Sequence, residues 1–283
     1  MATRKDERRA DAEKHIKTMN AVFSSETAQS IEGIREYKDG EARELPAPEA
    51  TAESTEIAVE RTNAVSAIYA AKGKVIVLDF ASFIHPGGGY ANGAWAQEEA
   101  LCSESNLYPI LASQKETFYD ANRQYSRGGL YTDRSLFVPD VVFARGGSVR
   151  KAGVIVTAAP NRIWALEHHR DQKEIDADLA NRIETVMAIA ADQGCDTLVL
   201  GAFGCGVFGN DPVQVAALFK QWLEAHPNIF AKVVFAIPGG PNLDAFQDAF
   251  GHKEEQVVEA ATEEEDDDDW RNDLDLPEGI TLR

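Results

Sequence analysis

Residues 74–99 read KVIVLDFASFIHPGGGYANGAWAQEE. The first nine form a mostly continuous apolar run, the pattern of a strand buried on both faces of a parallel sheet. Three consecutive glycines, Gly87, Gly88 and Gly89, follow it, and such a turn admits positive φ and lets a ligand touch the backbone. Gln97, Glu98 and Glu99 then open a helix continuing through Leu101 and Cys102. In open α/β sheets ligands sit beyond the carboxyl ends of the strands. This one stretch therefore predicts a strand, a ligand loop and paired carboxylates at the pocket edge.

Further apolar runs of the same kind occupy residues 141–144, 153–158, 197–202 and 232–237. Helical patterns separate them. Residues 61–71 read as one helix. Residues 176–193 carry the stripe Leu179, Ile183, Val186, Met187 and Ala190, with Gly194 placed as a C-terminal cap. Residues 212–226 form another helix, with Asp211 as cap and Pro212 at its first position. Strands alternating with helices predict a three-layer α/β/α domain with a mixed, mostly parallel central sheet. Ahead of it, residues 3–38 read as a charged helical region, and the two prolines in residues 41–48 mark a linker. The expected organisation is a helical N-terminal extension (1–55), an α/β domain (56–252) and a disordered acidic tail (253–283).

The second glycine loop lies between a strand and a helix, where residues 200–212 read LGAFGCGVFGNDP. Its glycines and the helix N-terminus beyond them make a diphosphate cradle of amide donors plus the positive end of a helix dipole. The loop also satisfies G-x-G-x-x-G. It comes late in the chain, however, and the next strand ends AIPGG without the acidic residue that would hold a nicotinamide dinucleotide's ribose, so a Rossmann reading is set aside.

Charge narrows the partners. The chain carries −19, and the tail from residue 253 holds 13 acidic against 3 basic residues. No basic stripe appears, which argues against direct nucleic-acid binding. A polyanionic substrate would have to be gripped by backbone amides in a local pocket. Three cysteines without CxxC spacing argue against a disulfide framework or a zinc site. The pair His168-His169 reads as a solvated helix start rather than a metal site. A charged N-terminus and the lack of a long apolar run predict no membrane association and a cytoplasmic setting.

Together the two loops resemble the microbial, or bacterial-type, poly(ADP-ribose) glycohydrolases, enzymes of macrodomain-like fold. The resemblance rests on the GGG, seven-residue spacer, QEE signature at residues 87–99. It is carried further by LDFAS, AQEEALCSESNLYPIL, YTD at 131–133, VTAAPN at 156–161 and LVLGAFGCGVFGNDP, and it spans roughly residues 20–250. It implies Glu99 as catalytic acid/base and Glu98 as a hydrogen-bond partner of the ribose next to the scissile bond. It also implies substrate contacts from Gly87, Gly88, Gly89, Gln97 and Asn161. Gly204, Cys205, Gly206, Val207 and Phe208 would wrap the diphosphate, with Phe208 packed on the distal ribose. The substrate would be poly(ADP-ribose) or ADP-ribosylated proteins, the product ADP-ribose, with no cofactor and no metal.

The chemistry is consistent with one carboxyl serving both halves of the reaction. Cleaving a ribose–ribose O-glycosidic bond makes an oxocarbenium-like centre and an alkoxide, so an acid must protonate the leaving oxygen. The same group can then take a proton from water. A helix N-terminus favours ionised glutamate, whereas burial and a neighbouring carboxylate oppose it. Two rivals share the scaffold. A reader that binds ADP-ribose without cleaving it would lack the acid present here, and a mono-ADP-ribosyl hydrolase would differ around the leaving group.

Overall fold

The computed structural model describes residues 3–251, so the expectation for the tail lies outside the described residues. The chain begins with α1 (Arg4–Val22), α2 (Ser24–Glu32), β1 (Arg35–Tyr37), β2 (Glu56–Glu60), α3 (Ala64–Ala70) and β3 (Val75–Phe80). Then come α4 (Gln97–Ser103), α5 (Leu107–Ser113), the one-turn α6 (Asp120–Asn122), β4 (Ser135–Arg145) and β5 (Ser148–Thr157). It ends with α7 (Arg162–Glu167), α8 (Gln172–Gln193), β6 (Thr197–Leu200), α9 (Pro212–Ala225), β7 (Lys232–Ala236) and α10 (Gly240–Phe250).

The strands form one sheet in the order β1-β4-β5-β3-β6-β7-β2. The five from β5 to β2 run parallel, while β4 pairs antiparallel with both β1 and β5. Alternate residues of β3 feed two core layers. Ile76 and Leu78 pack with Leu179, Ile183 and Val186 of α8 and Val215 and Phe219 of α9. Val75 and Val77 pack with Val65 and Ile68 of α3 and Leu101 and Cys102 of α4. This is the expected three-layer α/β/α arrangement. Gly194 is the C-cap of α8 and Asp211 caps α9 with Pro212 at its start, as expected. Helix α8 begins earlier than residue 176, however, at Gln172, behind a capping box of Asp171 and Glu174.

Three further segments differ from expectation. Residues 35–37, read as helical, form β1, because α2 ends at Gly33 and the chain then pairs with β4 at the sheet edge. The strand expected over 141–144 is the second half of an eleven-residue β4 whose register shifts between Val138 and Val141. Pro139 and Asp140 look like a break, but a bulge absorbs them, with Asp140 at φ 53°. His168 and His169 close α7 rather than open a helix, and both are exposed.

The N-terminal segment is integral to the packing. Ala12 of α1 belongs to one core layer, while Tyr37 of β1 and Ala42 belong to the other. Ser30 of α2 donates to the Asp140 carbonyl in the β4 bulge.

Candidate active site

The loops after β5, β3, β6 and β7 leave from one end of the parallel strands, and the centre of that end is where β3 and β6 stop side by side. Pairing between β3 and β6 reaches only Val77 and Val199. Beyond it, the Gln97 side chain takes the missing strand's place. Its Nε2 donates to the Leu78 carbonyl at 2.8 Å and its Oε1 accepts from the Phe80 amide at 2.8 Å. Gln97 thus uses its amide on the sheet and fixes the N-terminus of α4 against the end of β3.

That anchorage turns the next two side chains under the glycine loop. Glu98 and Glu99 are both buried, although they sit in the first turn of a surface-starting helix. Glu98 Oε2 accepts from the Ser82 amide at 2.7 Å, and Glu99 Oε1 accepts from the Gly89 amide at 2.9 Å. Gly88 lies directly over both. Its φ is 56°, and a Cβ there would overlap Glu99 Oε1 and come within 2.9 Å of Glu98 Oε2. Only glycine fits both the conformation and the space.

The surroundings favour neutral groups. Burial, with Asp79 and Glu99 nearby, pushes the Glu98 carboxyl well above its ordinary range, against the opposing pull of the Ser82 and Gly87 amides. Behind the pair stands Asp79 of β3, fully buried, with both carboxyl oxygens lacking a hydrogen-bond partner among the described residues. Burial first, then Glu99, raises its pKa well above 3.8. Cys102 and Tyr119 are likewise buried and pushed up by desolvation and by these acids. The dipole of α4 is therefore opposed by burial and by the penalty of placing charged acids side by side. Asp79 was not singled out from the sequence, where it is one polar residue in an apolar strand. The signal was there: a strand buried on both faces has no solvent for a carboxylate.

The second loop is built differently. Gly206 and Val207 are exposed and Phe208 half-buried. The turn is held by Cys205 N to Ala202 O (3.1 Å), Gly209 N to Gly206 O (2.9 Å) and Asn210 N to Gly204 O (3.0 Å). Asn210 also donates its side-chain amide to the Pro160 and Gly204 carbonyls. Among the described residues, the amides of Gly206, Val207 and Phe208 have no backbone acceptor. An aromatic row joins the two loops. Phe83 stacks on Tyr131 with centroids 4.4 Å apart, and Tyr131 lies 6.3 Å from Phe208.

The structure brings Glu98, Glu99 and Gly88 into direct proximity. Gly87 turns against Cys102 and Tyr108, and Gly89 supplies the amide to Glu99. Asn161 is buried and engaged inward. Its side chain caps α7 by accepting from Trp164 N at 3.0 Å and hydrogen-bonds the Tyr131 hydroxyl. It shapes the aromatic row between the loops.

A mixed sheet carrying a carboxylate pair and a second glycine loop on the carboxyl ends of adjacent central strands defines a macrodomain-like fold with a candidate hydrolytic site. A family profile described as the microbial-type PARG catalytic domain matches residues 8–146. Poly(ADP-ribose) glycohydrolase from Thermomonospora curvata is 33% identical, covering 86% of this chain and 99% of that one, with a TM-score of 0.77. The Deinococcus radiodurans enzyme, solved in complex with ADP-ribose, is 32% identical over 79% of this chain and 96% of its own, with a TM-score of 0.71. None of the curated proteins compared matches the chain. The chain belongs to the microbial-type poly(ADP-ribose) glycohydrolase family.

Proposed function

We propose that this chain is a glycosidase that hydrolyses the ribose–ribose O-glycosidic bonds of poly(ADP-ribose) and releases ADP-ribose. The observation that carries this reading is the buried pair Glu98 and Glu99 beneath Gly88, at the carboxyl end of β3. The amides of residues 206–208, without a backbone acceptor among the described residues, complement it as a diphosphate cradle on the neighbouring strand. Substrate contacts extend over Gly87, Gly88 and Gly89 on one side and Gly204, Cys205, Gly206, Val207 and Phe208 on the other. Gln97 and Asn161 support them by holding α4 and the aromatic row.

In the reaction, Glu99 protonates the leaving ribose oxygen as the C1–O bond breaks, and the oxocarbenium-like ribose is stabilised by the fixed diphosphate. The Glu99 carboxylate then takes a proton from the water that attacks C1, which restores the acid. Glu98, kept towards its neutral form, donates to a hydroxyl of the ribose being cleaved. Among the described residues no helix is long and apolar enough to cross a membrane. The free thiols of Cys102, Cys195 and Cys205 suit a cytoplasmic setting. The decisive experiment incubates the protein with defined poly- and mono-ADP-ribosylated substrates and identifies products by mass. Free ADP-ribose released from polymer is expected. Binding without any product would reduce the protein to a reader, and release only from mono-modified substrates would reassign the leaving group.

A further inference from the structure

We infer that α1 braces the glycine loop through His15 and Tyr90 and that this brace positions Glu99, an inference that rests on the reading of Glu99 as the acid/base. The segment between the glycines and the carboxylates makes one turn of 3-10 helix over residues 90–92 and returns at Gly93. It meets α1 at three places. The Tyr90 hydroxyl lies 2.8 Å from His15 Nδ1, with the rings edge to face. Gly93, at φ 84°, lies so close to the first turns of α1 that a Cβ would overlap the Lys5 carbonyl oxygen and approach the Arg9 amide to 3.1 Å. The Arg8 guanidinium stands over the Trp95 ring at 5.6 Å.

The path from α1 to the chemistry is short. Gly89, the residue before Tyr90, gives its amide to Glu99 Oε1, and its carbonyl accepts from the amides of Asn92 and Ala94. Gly89 is therefore locked between the carboxylate on one side and the turn that Tyr90 anchors on the other. Tyr90 is nearly fully buried, and its ring meets Tyr108, whose ring in turn fills the space beside Gly87. Movement of the Tyr90 ring moves the glycine turn.

The choice of residues speaks for a hydrogen bond rather than simple filling. His15 Nε2 is buried without a partner among the described residues, which costs free energy that an aliphatic side chain would not incur. What the imidazole alone supplies is its contact with the Tyr90 hydroxyl. Desolvation lowers the His15 pKa, in keeping with a neutral ring in that role. His15 and Tyr90 are positioning residues: neither touches the substrate path through Glu98, Glu99 or the second loop.

The test uses the full chain with Tyr90→Phe, His15→Leu, the double variant and His15→Gln. Tyr90→Phe keeps the buried ring and deletes only the hydroxyl. With poly(ADP-ribose) as substrate, kcat is expected to fall about five- to tenfold, because a displaced catalytic group loses orientation, while KM stays within about twofold. The double variant should be no slower than the worse single one, since both delete one shared hydrogen bond. His15→Gln, whose amide can still meet the hydroxyl, should recover most of the rate. Amide hydrogen exchange at Gly89 is expected to quicken in Tyr90→Phe and His15→Leu, with β3 and β6 unchanged. Wild-type kcat in Tyr90→Phe would overturn the inference, as would additive losses that track melting temperature without a kcat-specific effect. Absence of turnover in the wild type would sink the functional reading instead. The brace would then stand or fall on Gly89 protection, and unchanged protection would end it.

Discussion

The two glycine loops occupy adjacent strand ends and do opposite things with their backbones. In the first, residues 82–89 turn amides inward onto buried carboxylates, so that Ser82 serves Glu98 and Gly89 serves Glu99. In the second, the amides of residues 206–208 have no backbone acceptor among the described residues, and the loop is closed by the Asn210 side chain donating to the Gly204 carbonyl. The first loop is a device for keeping carboxyl groups dry and aimed. On the proposed function, the second keeps donors available to an anion. The proton-transfer side should therefore be intolerant of changes that keep size but alter protonation. The anion side should tolerate composition and resist only added bulk.

The largest effect that follows is on Glu99. Glu99→Gln retains shape and the acceptor for the Gly89 amide but can neither donate nor recover a proton as a carboxyl does. Turnover should fall by about 10²–10⁴-fold, while calorimetric affinity for ADP-ribose stays close to wild type. A variant with more than about a tenth of the wild-type rate would remove Glu99 from proton transfer and leave the first loop without its distinguishing role.

An intermediate effect falls on the second loop. Gly206 is exposed, so a side chain there meets solvent in the free protein and, on the proposed function, would stand in the way of the diphosphate. Gly206→Val should weaken ADP-ribose binding by at least about tenfold, some 1.4 kcal/mol, with melting temperature nearly unchanged. The wild type should also bind ADP-ribose more tightly than NAD and transfer no hydride. Unaltered affinity in Gly206→Val would mean the cradle lies elsewhere, and the contrast between the two loops would lose its functional meaning.

The same contrast explains what could be read from the residues in order and what could not. Gly87–Gly89 and Gln97–Glu99 are close in sequence and chemically unusual together, so the carboxylate pair was legible, and the central strands announced themselves as long apolar runs. The edge strands β1 and β2 did not, because short strands such as REY and EIAVE are rich in charge and take their conformation from a neighbour. The use of Gln97 as a substitute strand partner was hidden as well, since it depends on β6 stopping before β3. So was the contact of His15 with Tyr90, which joins positions 75 residues apart. Asn161 was expected among the substrate contacts from the resemblance alone, and its inward bonding to α7 and Tyr131 becomes visible only when that helix is placed.

The smallest effect concerns Asp79, and it tests whether the dryness of the first loop carries a stability cost that the second loop does not. Asp79 is fully buried without a hydrogen-bond partner among the described residues, and burial together with Glu99 raises its pKa well above 3.8. Its folded form therefore holds a proton that the unfolded chain releases. In that window the unfolded state binds fewer protons, so stability falls as pH rises from about 4 towards the raised folded value. The slope is at most about 1.4 kcal/mol per pH unit for one group, and it is diluted where Glu98, whose pKa is also raised, shares the titration. Asn at the same site keeps the shape and cannot ionise. Asp79→Asn should match or fall slightly below wild type near pH 4 and exceed it progressively above pH 5, by about a few degrees in melting temperature at pH 7. Thermal melts of both proteins across pH 4–8 decide the matter. Parallel curves would show that Asp79 does not hold a proton in the folded state, and burial behind the first loop would then carry no pH-dependent stability cost.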